Sequence, residues 1–251
     1  MTEQKRKMQL PKITRDEFFT TQEERDLRAK EHVENLKISD ISDFPNHPFK
    51  VIVDADMREM AKSIAEYGVL VPVLVRPKQD GKYEMISGHR RKKASELAQK
   101  ESIPCIIREL TDDEATIIMV DANVQREEIL PSERAFSLKM KMDAMRRQGA
   151  RIDVDGTCCT ECDKSGKKTA SIVGDQVGLK ARQVHKYIRL TELVPEILEF
   201  IDQKKITITM GVDLSYLNEQ IQKWVYEYYK DNGFLKPVQV EASFIIEITL
   251  C

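Results

Sequence analysis

Residues 170–190 read ASIVGDQVGLKARQVHKYIRL, Ala170 to Leu190, and their spacing decides how the second half of the chain folds. With Gly178 as the turn residue, apolar side chains fall at Val173, Val177, Leu179, Val184 and Tyr187, and the small Gly174 lies one helical turn earlier. This pattern predicts a helix-turn-helix. A small residue lets the two helices cross at a steep angle, a glycine permits a left-handed turn, and the apolar positions bury the inner faces. The second helix then directs Lys180, Arg182, Gln183, His185, Lys186 and Arg189 outward. Arginine can grip guanine with two hydrogen bonds and glutamine can read adenine, whereas lysine mainly neutralises phosphate. A face so rich in donors fits duplex DNA; the plainer reading is a solvated helical hairpin.

Charge placement favours the polyanion. The chain of 251 residues has a formal net charge of only -2, yet residues 139–190 carry 12 Lys/Arg against 6 Asp/Glu, while the segments on either side are net acidic. A basic element between acidic flanks is what a nucleic-acid reader needs if the rest of the molecule is to stay off the backbone. Hydrophobic residues at 41% suffice for packed cores, and the length suggests two modest domains. No apolar run approaches the ~18 residues a membrane span requires, and Met1 to Lys7 is charged with no apolar run behind it. The expectation is a cytoplasmic protein that stays off membranes. Five cysteines, an odd number, argue against a disulfide framework; Cys158, Cys159 and Cys162 lack the further ligands of a zinc site and read as free thiols.

Upstream, residues 1–35 form a polar, charge-dense arm with one helix expected near Thr21 to Leu36. Asp56 and Glu59 suggest the cap of a helix that Gly68 ends. Val69 to Val75 and Tyr83 to Ile86 are expected to pair as a hairpin across the Gln79 to Lys82 turn, and Ile103 to Ile107 reads as a further strand. Gly88 opens a helix, and Thr111 with Glu114 forms a capping box for another. From Pro131 only helices are expected. The domains therefore divide as an arm over 1–35, an α+β unit over 36–130, a helical unit over 131–237 and a short tail over 238–251.

Two segments of the α+β unit have the chemistry of an anion site. At Gly88, His89, Arg90 and Arg91 a strand passes into a helix, so free backbone N–H groups and the positive helix end meet two guanidiniums, and the glycine would let a phosphate approach closely. Asn123, Gln125 and Arg126 follow the next helix and could hydrogen-bond an oxyanion, while Asp121 or Glu127 could hold a divalent ion. Each segment alone also fits an ordinary polar helix end.

Taken in order, these motifs resemble the ParB/RepB-type partition proteins. Phe44 to Phe49 is similar to that family's opening segment, and Ile64, Tyr67, Gly68, Val69 and Pro72 to its "SI..hGv..P" run. Ser87 to Arg91 resembles its glycine-acid-arginine-arginine nucleotide motif, Asn123 with Gln125 and Arg126 its ENxQR motif, and Ala170 to Leu190 its central helix-turn-helix. The resemblance implies an α+β ParB/sulfiredoxin-like domain followed by an all-α helix-turn-helix domain. It further implies a clamp gated by CTP and Mg²⁺ that loads at a centromere-like DNA site. Its expected partners are a ParA-type ATPase and a second copy of the chain, pairing under nucleotide control on a nucleoid or plasmid. Gly88, His89, Arg90 and Arg91 would face the triphosphate, Asn123 would help hold the metal, and Gln125 and Arg126 would complete the second wall. His89 and Ala122 stand where the family has glutamates, so nucleotide binding is expected while CTP hydrolysis stays open. One rival is a helix-turn-helix transcriptional regulator whose ParB-like domain is purely structural. Sulfiredoxin chemistry would need a cysteine where this chain has Gly88.

Overall fold

The computed structural model describes residues 33–124, 129–152 and 169–235, the side chains of 150–152 excepted. Its first part is built on the predicted hairpin. Strands β3 (Val73–Pro77) and β4 (Tyr83–Ser87) pair antiparallel, and the turn closes where Lys78 N–H donates to Lys82 O at 2.8 Å. β1 (Val33–Lys37), β2 (Ile41–Ser42) and β5 (Ser102–Ile107) complete a mixed sheet of order β1-β5-β3-β4-β2. β5 lies parallel to β3, so the chain must cross over between them, which it does through helix α2 (His89–Leu97). Side chains alternate across the pleat. Val73, Val75 and Met85 pack with Ile103 and Cys105 on one face, while Leu74 and Ile86 meet Phe44, Phe49 and Met119 on the other.

Helix α1 (Ala55–Tyr67) packs on α2 through Met57, Ala61, Ile64 and Ala94. Its true cap is Asp54, whose Oδ1 accepts from Met57 N–H at 2.8 Å, two residues before the expected Asp56; Gly68 ends it at φ 76° as expected. Helix α3 (Asp112–Val124) starts at the predicted capping box, with Thr111 and Glu114 exchanging hydrogen bonds. Two further expectations need correction. Residues 33–36 are strand rather than helix, because Val33 to Lys37 pairs with Ser102 to Ile106 along the sheet edge. The strand expected from Val69 begins at Val73, leaving Leu70 (81%) and Val71 (62%) exposed in the preceding loop.

Among the described residues no strand follows Ile107. Helices α4 (Pro131–Ile152), α5 (Thr169–Val177), α6 (Ala181–Arg189), α7 (Pro195–Asp202), α8 (Ile208–Leu214) and α9 (Glu219–Asn232) form an all-helical array. Its core gathers Leu190, Ile197, Ile201, Leu214, Ile221 and Val225. Tyr226 and Tyr229 pack on Phe200 whereas Trp224 stays at the rim, so this aromatic run is core and its edge. α4 is tied to what precedes it by polar bonds. Lys50 N–H donates to Glu133 Oε1 at 2.9 Å, Arg147 Nε meets the buried Asp113 at 2.7 Å, and the fully buried Lys141 is ion-paired to Asp121. A buried lysine needs a polar partner, so Asp121 is committed to holding α3 against α4.

Candidate nucleic-acid interface and anion site

α5 and α6 meet across the turn that the sequence specifies. Gly178 sits at φ 68°, Leu179 N–H donates to Gly174 O at 2.8 Å, and a Cβ on Gly174 would lie 2.3 Å from Leu179 O. Only glycine allows that approach. Val173 and Val184 are fully buried against Leu138 of α4, with Val177, Leu179 and Tyr187 packed around them. The inner faces are thus those expected.

The outer face is as basic as predicted but not uniformly free. Lys180, Arg182, Gln183 and His185 are exposed and Lys186 is half-buried. Among the described residues none of Lys180, Arg182, Lys186 and Arg189 has a carboxylate partner. Gln183 Oε1 accepts from Lys180 N–H at 3.0 Å, which caps α6 and leaves the amide nitrogen to donate outward. Arg189 departs from the expectation. Its Nε donates to Ser215 Oγ at 3.1 Å, a terminal nitrogen donates to Ser215 O at 2.8 Å, and its guanidinium carbon lies 4.3 Å from the Tyr216 ring centre. Buried Ser215 draws the side chain off the open face, so Arg189 braces the end of α6.

At the start of α2, Gly88 adopts a left-handed conformation at φ 110°. A Cβ there would lie 2.5 Å from Val73 Cγ1, so packing against β3 by itself calls for the glycine. Most of the nearby cations are occupied. Arg90 pairs with Asp54 at 3.3 Å, Lys92 reaches Asp43 at 2.7 Å and Ile41 O at 2.8 Å, and Lys93 pairs with Glu96 at 2.9 Å. Arg91 donates to the carbonyls of Val71 and Pro72, both at 2.6 Å, and has no carboxylate partner among the described residues. Burial lowers its pKa from the ordinary arginine value. Its charge, with the orphan N–H groups of the first helical turn, leaves an uncompensated positive spot. His89 is buried and packs on His47 with ring centres 3.9 Å apart and planes tilted by 42°, beside a cavity of about 170 Å³ lined also by Asp43, Lys92 and Lys93.

The second wall is not assembled by the described residues. Asn123 is buried and its Nδ2 donates to Met119 O at 2.7 Å, within its own helix. Neither Arg90 nor Arg91 touches it. Gln125, Arg126 and Glu127 lie outside the described residues, as do Cys158, Cys159 and Cys162. Among the described residues no cluster of three or more His, Cys, Asp or Glu is placed to hold a metal ion, and no helix is long and apolar enough to cross a membrane. Burial pushes the Cys105 thiol up to about 11, which makes it unreactive at neutral pH. Sequence reading missed Asp54, Ser215 and Tyr216: each acts through a partner distant in sequence, and no local pattern marks them.

A mixed-sheet α+β unit followed by an all-helical array that carries a helix-turn-helix with a basic outer face defines a recognisable class of two-part protein, and comparison with known proteins narrows it. Residues 22–124 match the ParB N-terminal domain. The chain is 30% identical over 212 residues to the chromosome-partitioning protein Spo0J of Thermus thermophilus, covering 84% of this chain and 69% of that one. It is 31% identical over 201 residues to the probable chromosome 1-partitioning protein ParB of Deinococcus radiodurans, of which it spans 62%. Two solved structures of C-terminally truncated Caulobacter crescentus ParB also resemble it. The form complexed to the centromeric parS site has TM-score 0.46 at 20% identity, covering 86% of this chain and 99% of that one. The form complexed with CTP-γ-S has TM-score 0.36 at 24% identity, covering 77% and 98%. The chain belongs to the ParB family of partition proteins.

Proposed function

We propose that this ParB-family protein grips duplex DNA at a centromere-like site through α6 and that CTP bound at the start of α2 gates its loading in chromosome or plasmid segregation. Residues 36–130 would hold the nucleotide and residues 131–237 the DNA. The observation that carries the reading is the α5–α6 pair: a turn tight enough to require Gly174, presenting Arg182, Gln183, His185 and Lys186 on a helix whose cations have no carboxylate partners among the described residues. Arg182 and Gln183 would meet base edges, Lys180 and Lys186 phosphates. Family membership supports the nucleotide, and uncompensated Arg91 supports an anion beside Gly88, with Arg90 turning from Asp54 to the phosphates. Mg²⁺ would enter with the nucleotide, and Asn123, whose Nδ2 donates within its own helix, would offer its amide oxygen. A ParA-type ATPase and nucleotide-gated pairing of two copies belong to the same proposal.

A second reading is favoured by the packing around α2. Gly88 is explained by Val73, Arg90 by Asp54 and Arg91 by two carbonyls, which is what a structural ParB-like domain on a helix-turn-helix regulator would show. Titration of the full chain with CTP and Mg²⁺, with and without duplex carrying parS, separates the two. Saturable CTP binding that Arg90→Ala weakens supports the switch; no CTP binding by the wild type leaves the regulator.

A further inference from the structure

Arg182, His185, Lys186 and Arg189 follow the i, i+3, i+4, i+7 spacing of one helix face, so they form a single stripe along α6 about 10 Å long. The last member of that stripe does not reach outward. Ser215 holds the Arg189 guanidinium through both its hydroxyl oxygen and its carbonyl, and the hydroxyl is itself fixed by donating to Val212 O at 2.6 Å. What the stripe presents at this end is Tyr216, 60% exposed, its ring under the guanidinium and its hydroxyl without a hydrogen-bond partner among the described residues. Ser215 supplies only neutral oxygens, so the positive charge of Arg189 is held over the ring without a carboxylate to cancel it. Such a stack fixes the ring plane and favours an anion near the phenol.

We infer that Tyr216 is a further DNA contact: its hydroxyl donates to a backbone phosphate beyond the bases met by Arg182, and Arg189 is the positioning residue that aims it. The inference rests on α6 being the DNA reader. The contact carries no base information, because a phosphate acceptor is common to every sequence.

The test uses the full chain and two labelled duplexes of equal length, one with the parS site and one scrambled, followed by fluorescence anisotropy over a range of salt. Tyr216→Phe should weaken binding to both about three- to tenfold, the loss of one hydrogen bond to a charged acceptor, with the salt slope unchanged because no charge is removed. Arg189→Lys, which cannot make the forked grip on Ser215, should weaken both duplexes alike. Ethylation interference should lose one sensitive phosphate in Tyr216→Phe, and an unshifted melting temperature shows that the fold is retained. Parent-like binding of both duplexes by Tyr216→Phe, or weakening confined to the parS duplex, overturns the assignment. If Arg182→Ala abolishes discrimination while Tyr216→Phe changes nothing, the reader stands and this contact falls; if the parent binds neither duplex at low salt, both fall.

Discussion

α2 and α6 are both nine-residue helices rich in cations, and the structure treats them in opposite ways. α2 begins HRRKK, yet Arg90, Lys92 and Lys93 are matched by Asp54, Asp43 and Glu96, and Arg91 is held by carbonyls. α6 carries fewer cations, but none of them has a carboxylate partner among the described residues. Counting basic residues therefore overstates the first helix and understates the second. A polyanion responds to charge left uncompensated after folding, which depends on neighbours that converge from other parts of the chain. The same contrast holds for the glycines: Gly174 faces a backbone oxygen that cannot move aside, and Gly88 faces a side chain.

The largest expected effect comes from that last difference. Gly174→Ala should destabilise the helical unit by about 3 kcal/mol or more, since the new methyl must displace backbone, and DNA binding should fall with it. Thermal melting by circular dichroism gives the value. Gly88→Ala should cost less, about 2 to 3 kcal/mol from left-handed strain and Val73 repacking; a larger loss at Gly88 than at Gly174 would reverse the comparison.

Next in size are the cations themselves. Arg182→Ala should cost about 1 to 3 kcal/mol in target binding and relax preference at one base position, and Lys186→Ala should lower the salt slope by about one. The matched substitution Lys93→Ala on α2 should leave duplex affinity unchanged; if it weakens binding as much as Lys186→Ala, the distinction between compensated and free cations fails.

Smaller effects should appear at Asp54, which competes for Arg90. Asp54→Asn keeps a good N-cap for α1 but removes the carboxylate, so CTP binding by calorimetry should tighten slightly. Weaker binding would mean that Arg90 does not exchange partners. The smallest effect is on acid stability. The Met57 N–H, then Arg90, hold the Asp54 carboxyl below its ordinary value of 3.8. Its contribution is therefore complete above that value and is lost as pH falls through the lower folded-state pKa. Asp54→Asn should flatten this part of the acid-unfolding curve; an unchanged curve would show that the charge of the carboxylate contributes nothing there.

Much of the fold was legible because it is written in local periods. The hairpin, the capping box at Thr111 and Glu114, the stop at Gly68 and the turn at Gly178 each depend on residues within a few positions of one another. The candidate sites were less legible. Arg189 matches the outward spacing of α6, yet Ser215, 26 residues later, turns it aside. Asp121 reads as a candidate metal ligand until Lys141, buried 20 residues away, claims it. The strand Val33 to Lys37 likewise depends on β5, about 70 residues on.

The sequence by itself determined the hairpin, the capped helices, the order of α+β unit and helical array, and the apolar seam that sets α5 against α6, because hydrophobic period, caps and turn glycines act over a few residues. Only the tertiary structure decided which charges are cancelled, that Val73 packs against Gly88, and that Tyr216 lies under the Arg189 guanidinium. Those outcomes turn on ångström-scale distances between segments far apart in the chain, and ion pairs and close packing depend on such distances rather than on spacing along the sequence.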